Sequence, residues 1–392
     1  MANMFRVELA NSDHRYCELN LPATDYELLD ALDKLQMKPG DLPQWEIYQH
    51  IGHTEHLQVY LNDCTIYELN AFARRLGGMT PDQRGAFEGI LQMELDKREG
   101  PMCVADLFTY ANSTESCHVL GDVGNDDQLG RFYACNDFIP ELEDIPDFVF
   151  DRLDYARIGK EMREGERGVF TRYGYVLQTG ELRPDLSNNN APPKVPEYTL
   201  RLLIGRYPFD TGGEPEVTTG LDLPASNEAL NKALEYVGAA SWEEVVFTVE
   251  DSACPGFPED MYGENFEELN DYAQTVKEVQ IAGNLTKLKA ILATRECTTI
   301  GDAMEIAEQL DDFFVEADKV TPSDVAREEI RFSLSEDEAE ILVKHVNLFD
   351  YGKELMAHYN SQLTDYGLVT RRDGQPIQGQ EENTAQMNME MG

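Results

Sequence analysis

The side chains with most chemistry to offer in this sequence are carboxylates, and they come in runs. Asp122, Asp126 and Asp127 lead into Glu141, Glu143, Asp144, Asp147 and Asp151, with Arg131 the only base between the first and the last. Farther along, Glu305, Glu308, Asp311 and Asp312 follow at the spacing of one helix, and Glu328, Glu329, Glu336, Asp337, Glu338 and Glu340 come within a turn or two of each other. Like charges this close repel one another. One such run is ordinarily a solvated helix face. Several together, all of one sign, point to a surface made to be covered by a cationic partner. Paired carboxylates also serve glycoside hydrolysis, but acid pairs are so frequent here that none is singled out.

Other reactive groups are sparse. His50, His53 and His56 at three-residue spacing invite a zinc reading, but Gly52 and Thr54 disfavour a helix and no cysteine or clear carboxylate partner lies near, so a loop or strand of exposed histidines is expected. No GxSxG, P-loop, GxGxxG or Cys/His nucleophile signature occurs. Enzymatic activity, a cofactor and a metal are not expected. Seven cysteines (Cys17, Cys64, Cys103, Cys117, Cys135, Cys254, Cys297) are scattered, odd in number and without CxxC spacing, which reads as reduced, mostly packing thiols.

Composition widens the argument. The 392 residues are 42% hydrophobic, enough for more than one folded core, and 74 Asp and Glu stand against 32 Lys and Arg, a formal charge of -42. Duplex DNA carries about one charge per 1.7 Å, so that excess matches a duplex roughly 70 Å long. No Lys/Arg-rich stripe is present to release counterions, which argues against direct binding to nucleic acid or an anionic membrane. Residues 1–196 carry 34 acids and 18 bases, and residues 197–392 carry 40 and 14. The excess therefore belongs to both halves rather than to a detachable tail. No apolar run suits a membrane span and the N-terminus lacks a signal pattern, so a cytoplasmic protein is expected.

The elements that must hold these acids recur. Leu21-Pro22-Ala23-Thr24, then Leu28, Ala31 and Leu32, returns as Leu223-Pro224-Ala225-Ser226, then Leu230, Ala233 and Leu234. Thr24 with Glu27 forms a capping box and Ser226 caps the second copy; Leu28, Ala31, Leu32 and Leu35 make a buried stripe, as Val237 does at the end of the other. Strands are expected at Phe5–Leu9, Trp45–Tyr48, Thr199–Ile204 and Val245–Val249. Glu68-Leu69-Asn70-x-Phe72-Ala73 returns as Glu268-Leu269-Asn270-x-Tyr272-Ala273, each followed by an Ile-Leu pair, Ile90-Leu91 and Ile291-Leu292. Thr65 with Glu68 and Thr80-Pro81 are helix starts, and Ala105–Ala111 reads as another helix. Gly159-Lys160-Glu161-Met162 and Tyr173-Gly174-Tyr175-Val176 return as Gly352-Lys353-Glu354-Leu355 and Tyr366-Gly367-Leu368-Val369. Gly159 and Gly352 read as tight-packing or helix-end positions, and the Tyr-Gly pairs as turns before a last strand. Repeats of this length in one order indicate a duplicated unit.

The three segments resemble the ArdA anti-restriction family, whose pattern runs from a Leu-Pro-Ala-Thr helix start through a Glu-Leu-Asn helical middle to an Asp-Tyr-x-x-x-Gly-Arg-Asp-Leu and Gly-Tyr-Val ending. Here that ending reads Asp154-Tyr155-Ala156-Arg157-Ile158-Gly159-Lys160-Glu161-Met162 and Tyr173-Gly174-Tyr175-Val176. In the second copy Asn347 and Leu348 replace the Asp-Tyr pair. The resemblance covers 4–179 and 197–370, and the chain departs from the family in carrying two copies.

The resemblance implies an elongated α+β tandem repeat of two ArdA-like units, each a small α/β subdomain, a helical subdomain and a second α/β subdomain. The divisions expected are 1–179, a Pro/Asn-rich flexible linker 180–196, a second unit 197–372, and a disordered polar tail 373–392. A linker of about 17 residues spans near 20 to 25 Å. The family's curved, carboxylate-studded dimers mimic DNA and fill the DNA-binding groove of type I restriction-modification enzymes. A stoichiometric inhibitor follows as the expectation, as a pseudo-dimer within one chain or as a homodimer, with the eighteen acids named above as the mimic surface. The association region would fall at Phe349, Tyr351 and Tyr155. Phe148, Phe150, Phe313 and Phe314 read as core. The alternative reading is an acidic scaffold or chaperone for basic DNA-binding proteins.

Overall fold

The computed structural model describes residues 2–38, 40–142, 146–207, 215–255, 266–295 and 299–377. Strands β1 (Phe5–Ala10) and β2 (Tyr16–Leu21), helix α1 (Asp25–Lys34) and strand β3 (Gln44–His50) open the chain. Helices α2 (Gln58–Leu61), α3 (Ile66–Gly77), α4 (Pro81–Lys97) and α5 (Val104–Asn112) follow, then β4 (Cys117–Leu120), α6 (Asp126–Cys135), α7 (Asp147–Phe150), α8 (Tyr155–Glu166), β5 (Val169–Thr171) and β6 (Gly174–Gln178). The series then returns as β7 (Leu200–Arg206), β8 (Thr218–Leu223), α9 (Asn227–Val237), β9 (Val245–Ser252), α10 (Phe266–Ile281), α11 (Leu285–Leu292) and α12 (Ile300–Glu308). It closes with β10 (Phe313–Glu316), α13 (Pro322–Ser333), α14 (Glu336–Val343), α15 (Leu348–Tyr359), β11 (Gln362–Thr364) and β12 (Gly367–Arg371). The class is mixed α/β.

The sheets are small and repeat their order. The described strands form three-stranded sheets ordered β2-β1-β3, β4-β6-β5, β8-β7-β9 and β10-β12-β11. Alternation explains the central strands: Phe5, Val7 and Leu9 are buried while Arg6 and Glu8 are exposed, and Leu200, Leu202 and Ile204 are buried on β7. In the later sheets the antiparallel registers correspond, Val119 facing Val176 and Val315 facing Val369. No helix among the described residues is long and apolar enough to cross a membrane.

Helix starts follow the cap chemistry. Thr24 with Glu27, Thr65 with Glu68 and Thr80 with Gln83 close capping boxes, and the Ser226 side chain accepts from the Ala229 N–H. Strands β4 and β10 were not anticipated because four residues are too few for a clear period-2 signal, and neither were β2 and β8, although Cys17, Leu19 and Leu21 in the one and Leu221 and Leu223 in the other alternate with polar residues.

Compactness divides the chain into two units, one of Met1–Leu9, Glu18–Ala23 and Gln44–Pro192, the other of Ala10–Cys17, Thr24–Pro43 and Pro193–Gly392. In the first, the segment after β6 carries no helix or strand but is not a free tether. Backbone N–H groups of Thr179 and Gly180 donate to the Ser116 carbonyl, the Arg183 N–H donates to Ser113 Oγ, and Asp185 meets Arg75 at 3.2 Å. Hydroxyl-bearing residues at the end of α5 thus hold a proline-rich strap. In the second, the chain is still ordered after β12: Arg371 pairs with Asp373 at 2.7 Å and Ile377 is fully buried. A disordered tail is therefore not what Asp373–Ile377 form, and residues 378–392 lie outside the described residues.

Candidate functional site

The three recurring motifs build each unit by the same contacts. In the first unit Asn70 holds the Ala23 backbone from both sides, accepting from its N–H at 2.7 Å and donating to its carbonyl at 3.1 Å. In the second, Asn270 does the same for Ala225, at 2.8 and 3.4 Å. The Glu-Leu-Asn motif therefore clamps the Leu-Pro-Ala motif. Sequence alone gave no role to these asparagines, although a polar residue inside an apolar helical stripe was the available signal.

The third motif sets the helices that carry the candidate acids. A Cβ on Gly159 would stand 1.8 Å from the Asp126 carbonyl oxygen, and one on Gly352 1.8 Å from that of Pro322. α8 therefore lies directly against the start of α6, and α15 against the start of α13. Asp154 caps α8 by accepting from the Arg157 N–H, and Asn347 caps α15 by accepting from Asp350, so the second copy's departure at this position keeps the cap. Gly174 and Gly367 adopt φ of +117° and +128° in the turns before the last strands, a region that side chains avoid.

On this frame the first unit's acids divide. Asp126 is half-buried and accepts from Arg163 at 2.8 and 3.1 Å, and that guanidinium holds its carboxyl below the usual carboxylate value. Asp127 pairs with Arg131 at 2.8 Å. These two are tied to the unit's own bases, which suits holding α6 to α8 more than facing a partner. Asp122, Glu141 and Asp151 are exposed and make no ion pair with described residues. Glu143 and Asp144 lie outside the described residues, and Asp147 begins α7 with its side chain outside them too.

In the second unit the acids are freer. Glu305 and Glu308 are exposed on α12, but Asp311 and Asp312 leave that helix for a tight 3-10 turn, Leu310–Asp312, because α12 ends at Glu308. Glu328 on α13 pairs with Lys319 at 3.1 Å, and Glu329 is half-buried. Glu336, Asp337 and Glu338 form the first turn of α14, where the helix dipole favours negative charge, and Glu340 follows. Hydrogen bonds from Ser335 hold the Glu338 carboxyl below its usual value. Glu305, Glu308, Asp311, Asp312, Glu336, Asp337 and Glu340 are exposed and form no ion pair with described residues.

Aromatic positions correct several expectations. Tyr155 is 7% exposed, sits under Arg131 at 4.4 Å and donates to the Phe150 carbonyl at 2.8 Å, so it packs α6 on α8 and offers no pairing surface. Tyr351 is half-buried against the Val325–Ala326–Leu355–Leu368 core, while Phe349 is exposed beneath Lys353. Phe313 is core, but Phe148 and Phe314 are exposed, the latter because successive residues of β10 face opposite ways.

The histidines do not converge. His50 uses both ring nitrogens, on Thr54 Oγ1 at 3.1 Å and Gln58 Oε1 at 3.0 Å, and His56 turns to Glu88 at 3.4 Å. Burial pushes the Cys64 and Cys254 thiols up to about 12 and those of Cys17 and Cys117 up to about 11, which makes them poor nucleophiles. Cys103 and Cys135 are exposed rather than packed, and Cys297 lies outside the described residues.

One buried charge cluster was not anticipated. In the second unit the Lys289 side chain is 1% exposed and meets Asp30 and Asp33 of α1 at 3.0 Å each. Asp30 also accepts from Tyr366 Oη at 2.7 Å and pairs with Lys34 at 3.0 Å. The cluster explains why Thr24–Pro43 counts with the second unit. Its signal was a lysine inside the apolar run of α11. No model of a known protein family matches the chain, and no curated protein matches it.

Proposed function

We propose that this chain is an anti-defence protein, two ArdA-like units in tandem, that imitates the charge and shape of B-DNA and fills the DNA-binding groove of a type I restriction-modification enzyme or a related DNA-binding defence complex. The observation that carries the reading is the set of exposed carboxylates on α12, the turn after it and α14 that form no ion pair with a base of the described chain, Asp312 alone having a nearby cation in Arg371, in a molecule of charge -42. Their mutual repulsion disfavours the free protein and is relieved when a basic groove covers them. The repeated motif contacts support a duplicated unit. Acting as a 44.4 kDa monomer, the chain supplies both units itself.

A type I methyltransferase core bound to labelled duplex, titrated with the protein at several salt concentrations, tests it. Stoichiometric displacement that weakens with salt is expected. No displacement at low salt would remove the type I enzyme as the target and leave a related defence complex or the scaffold reading. A scaffold for basic proteins would bind polylysine as well as the enzyme at matched charge, whereas a mimic prefers the enzyme.

A further inference from the structure

We propose that the outer face of the helix-turn-helix running from Phe332 to Leu342 is a docking surface for a basic, amphipathic segment of a partner protein. Phe332, at the end of α13, is 87% exposed, and Ile341 of α14 is 61% exposed, with Leu334 and Leu342 also at the surface. Ala339 is the buried residue of α14, so the helix turns most of its apolar side chains outward. A free helix of this length is marginal in water, and four large apolar side chains in one short stretch exceed the scattered exposure of an ordinary surface.

The repeated fold does not require the aromatic ring at the end of α13. Counted from the first helical residues of α6 and α13, Asp126 and Pro322, Phe332 takes the place of Asn136 in the first unit. Phe332 also walls a groove of about 540 Å³ with the exposed rings of Phe314 and Tyr359. Cations there are engaged: Lys319 meets Glu316 at 2.5 Å and Glu328 at 3.1 Å, Arg371 meets Asp373 at 2.7 Å, and Arg372 stacks over Phe314 at 4.2 Å. The groove is mixed, with the Phe332 and Tyr359 rings as exposed apolar surface among ion-paired side chains, Arg372 and His358.

Charge selects the occupant. On α14 Ile341 lies one turn from Asp337 and Glu338, and Glu336 and Glu340 stand beside them. A second copy of this chain would bring the same acids to the same apolar residues, and nucleic acid would bring phosphates. A protein segment with apolar side chains on one face and Lys or Arg around them meets both features, in the manner of an amphipathic helix laid into a groove. The proposal extends the function above only in taking the partner to be basic, and it adds a contact that salt does not screen.

The test uses the full-length protein and two labelled probes of equal charge: a helical peptide of leucine and lysine in amphipathic order, and an oligolysine. At high salt the leucine-lysine peptide should bind about tenfold more tightly than the oligolysine, the scale of burying one or two apolar side chains. Phe332→Ser with Ile341→Ser should abolish that difference with the circular dichroism unchanged. Glu336→Gln with Glu340→Gln should weaken both probes at low salt. Equal binding of the two probes, or a difference that survives the double serine variant, overturns the proposal. So does a light-scattering mass of twice 44.4 kDa that the double serine variant restores to the monomer value, which would give the face to a second copy. No restriction enzyme is present in this assay, so its failure is distinct from failure of the DNA-competition experiment.

Discussion

At the scale of single residues, the strongest dependence falls on Lys289. Burial pulls its pKa down, but the carboxylates of Asp30 and Asp33 outweigh burial and hold it above the ordinary lysine value. A raised lysine contributes stability that is fully present below the unfolded-state pKa and is lost as pH rises through the folded one, so this contribution persists across the neutral range. Lys289→Met should lower stability by about 3 kcal/mol, the order seen when one partner of a buried ion pair is removed, read as a shift of the urea midpoint. Lys232→Met, which breaks the exposed pair with Glu228, should change it by less than about 1 kcal/mol. Equal effects would show that the cluster is not the anchor of α1.

At the scale of elements, the glycines at the helix crossings decide how the acidic helices are held. Gly159→Ala and Gly352→Ala each drive a methyl group into a backbone carbonyl of the facing helix, and neither carbonyl can move without its helix. A loss of about 1 to 3 kcal/mol or more is expected for each, measured by denaturant melts. Gly165→Ala, on α8 with open space around it, should instead stabilise by about 0.5 to 1 kcal/mol through helix propensity. If all three behaved alike, the close crossing would not be the reason for glycine at 159 and 352.

At the scale of the whole molecule, charge works in two directions as pH falls. Approaching the isoelectric point near 4.3, carboxylate protonation reduces self-repulsion and should raise stability. The carboxyls of Asp106, Asp126, Asp185 and Asp373 are held below their usual values in the folded chain, that of Asp373 at about 2. Depressed carboxyls contribute stability that is present above the unfolded-state value, about 3.9 for aspartate, and is lost as pH falls through the folded one. The thermal midpoint should therefore rise on acidification toward the isoelectric point and fall steeply below pH of about 4. Added salt at neutral pH should raise it by screening the same repulsion. A midpoint indifferent to salt would mean that the exposed carboxylates are already neutralised within the chain.

Periodicity, caps and repeats in the sequence were enough to determine the mixed α/β class, the starts of α1, α3, α4 and α9 and the duplicated order of elements, because these depend on neighbours a few residues apart. Thr24, Thr65, Thr80 and Ser226 cap their helices for reasons local to each. The candidate acids were legible as residues but not as a surface: nothing local distinguishes Asp126, tied to Arg163 from α8, from Asp122, which stays exposed. Tyr155 read as a pairing residue because aromatic type does not tell a surface from a helix crossing. Only the tertiary structure brought Asn70 to Ala23, Lys289 to Asp30 and the outward turn to Phe332. The first two are fixed by which distant elements share a core, where a buried polar group needs a partner that no single segment supplies, and the last by which face of the turn the rest of the unit leaves uncovered.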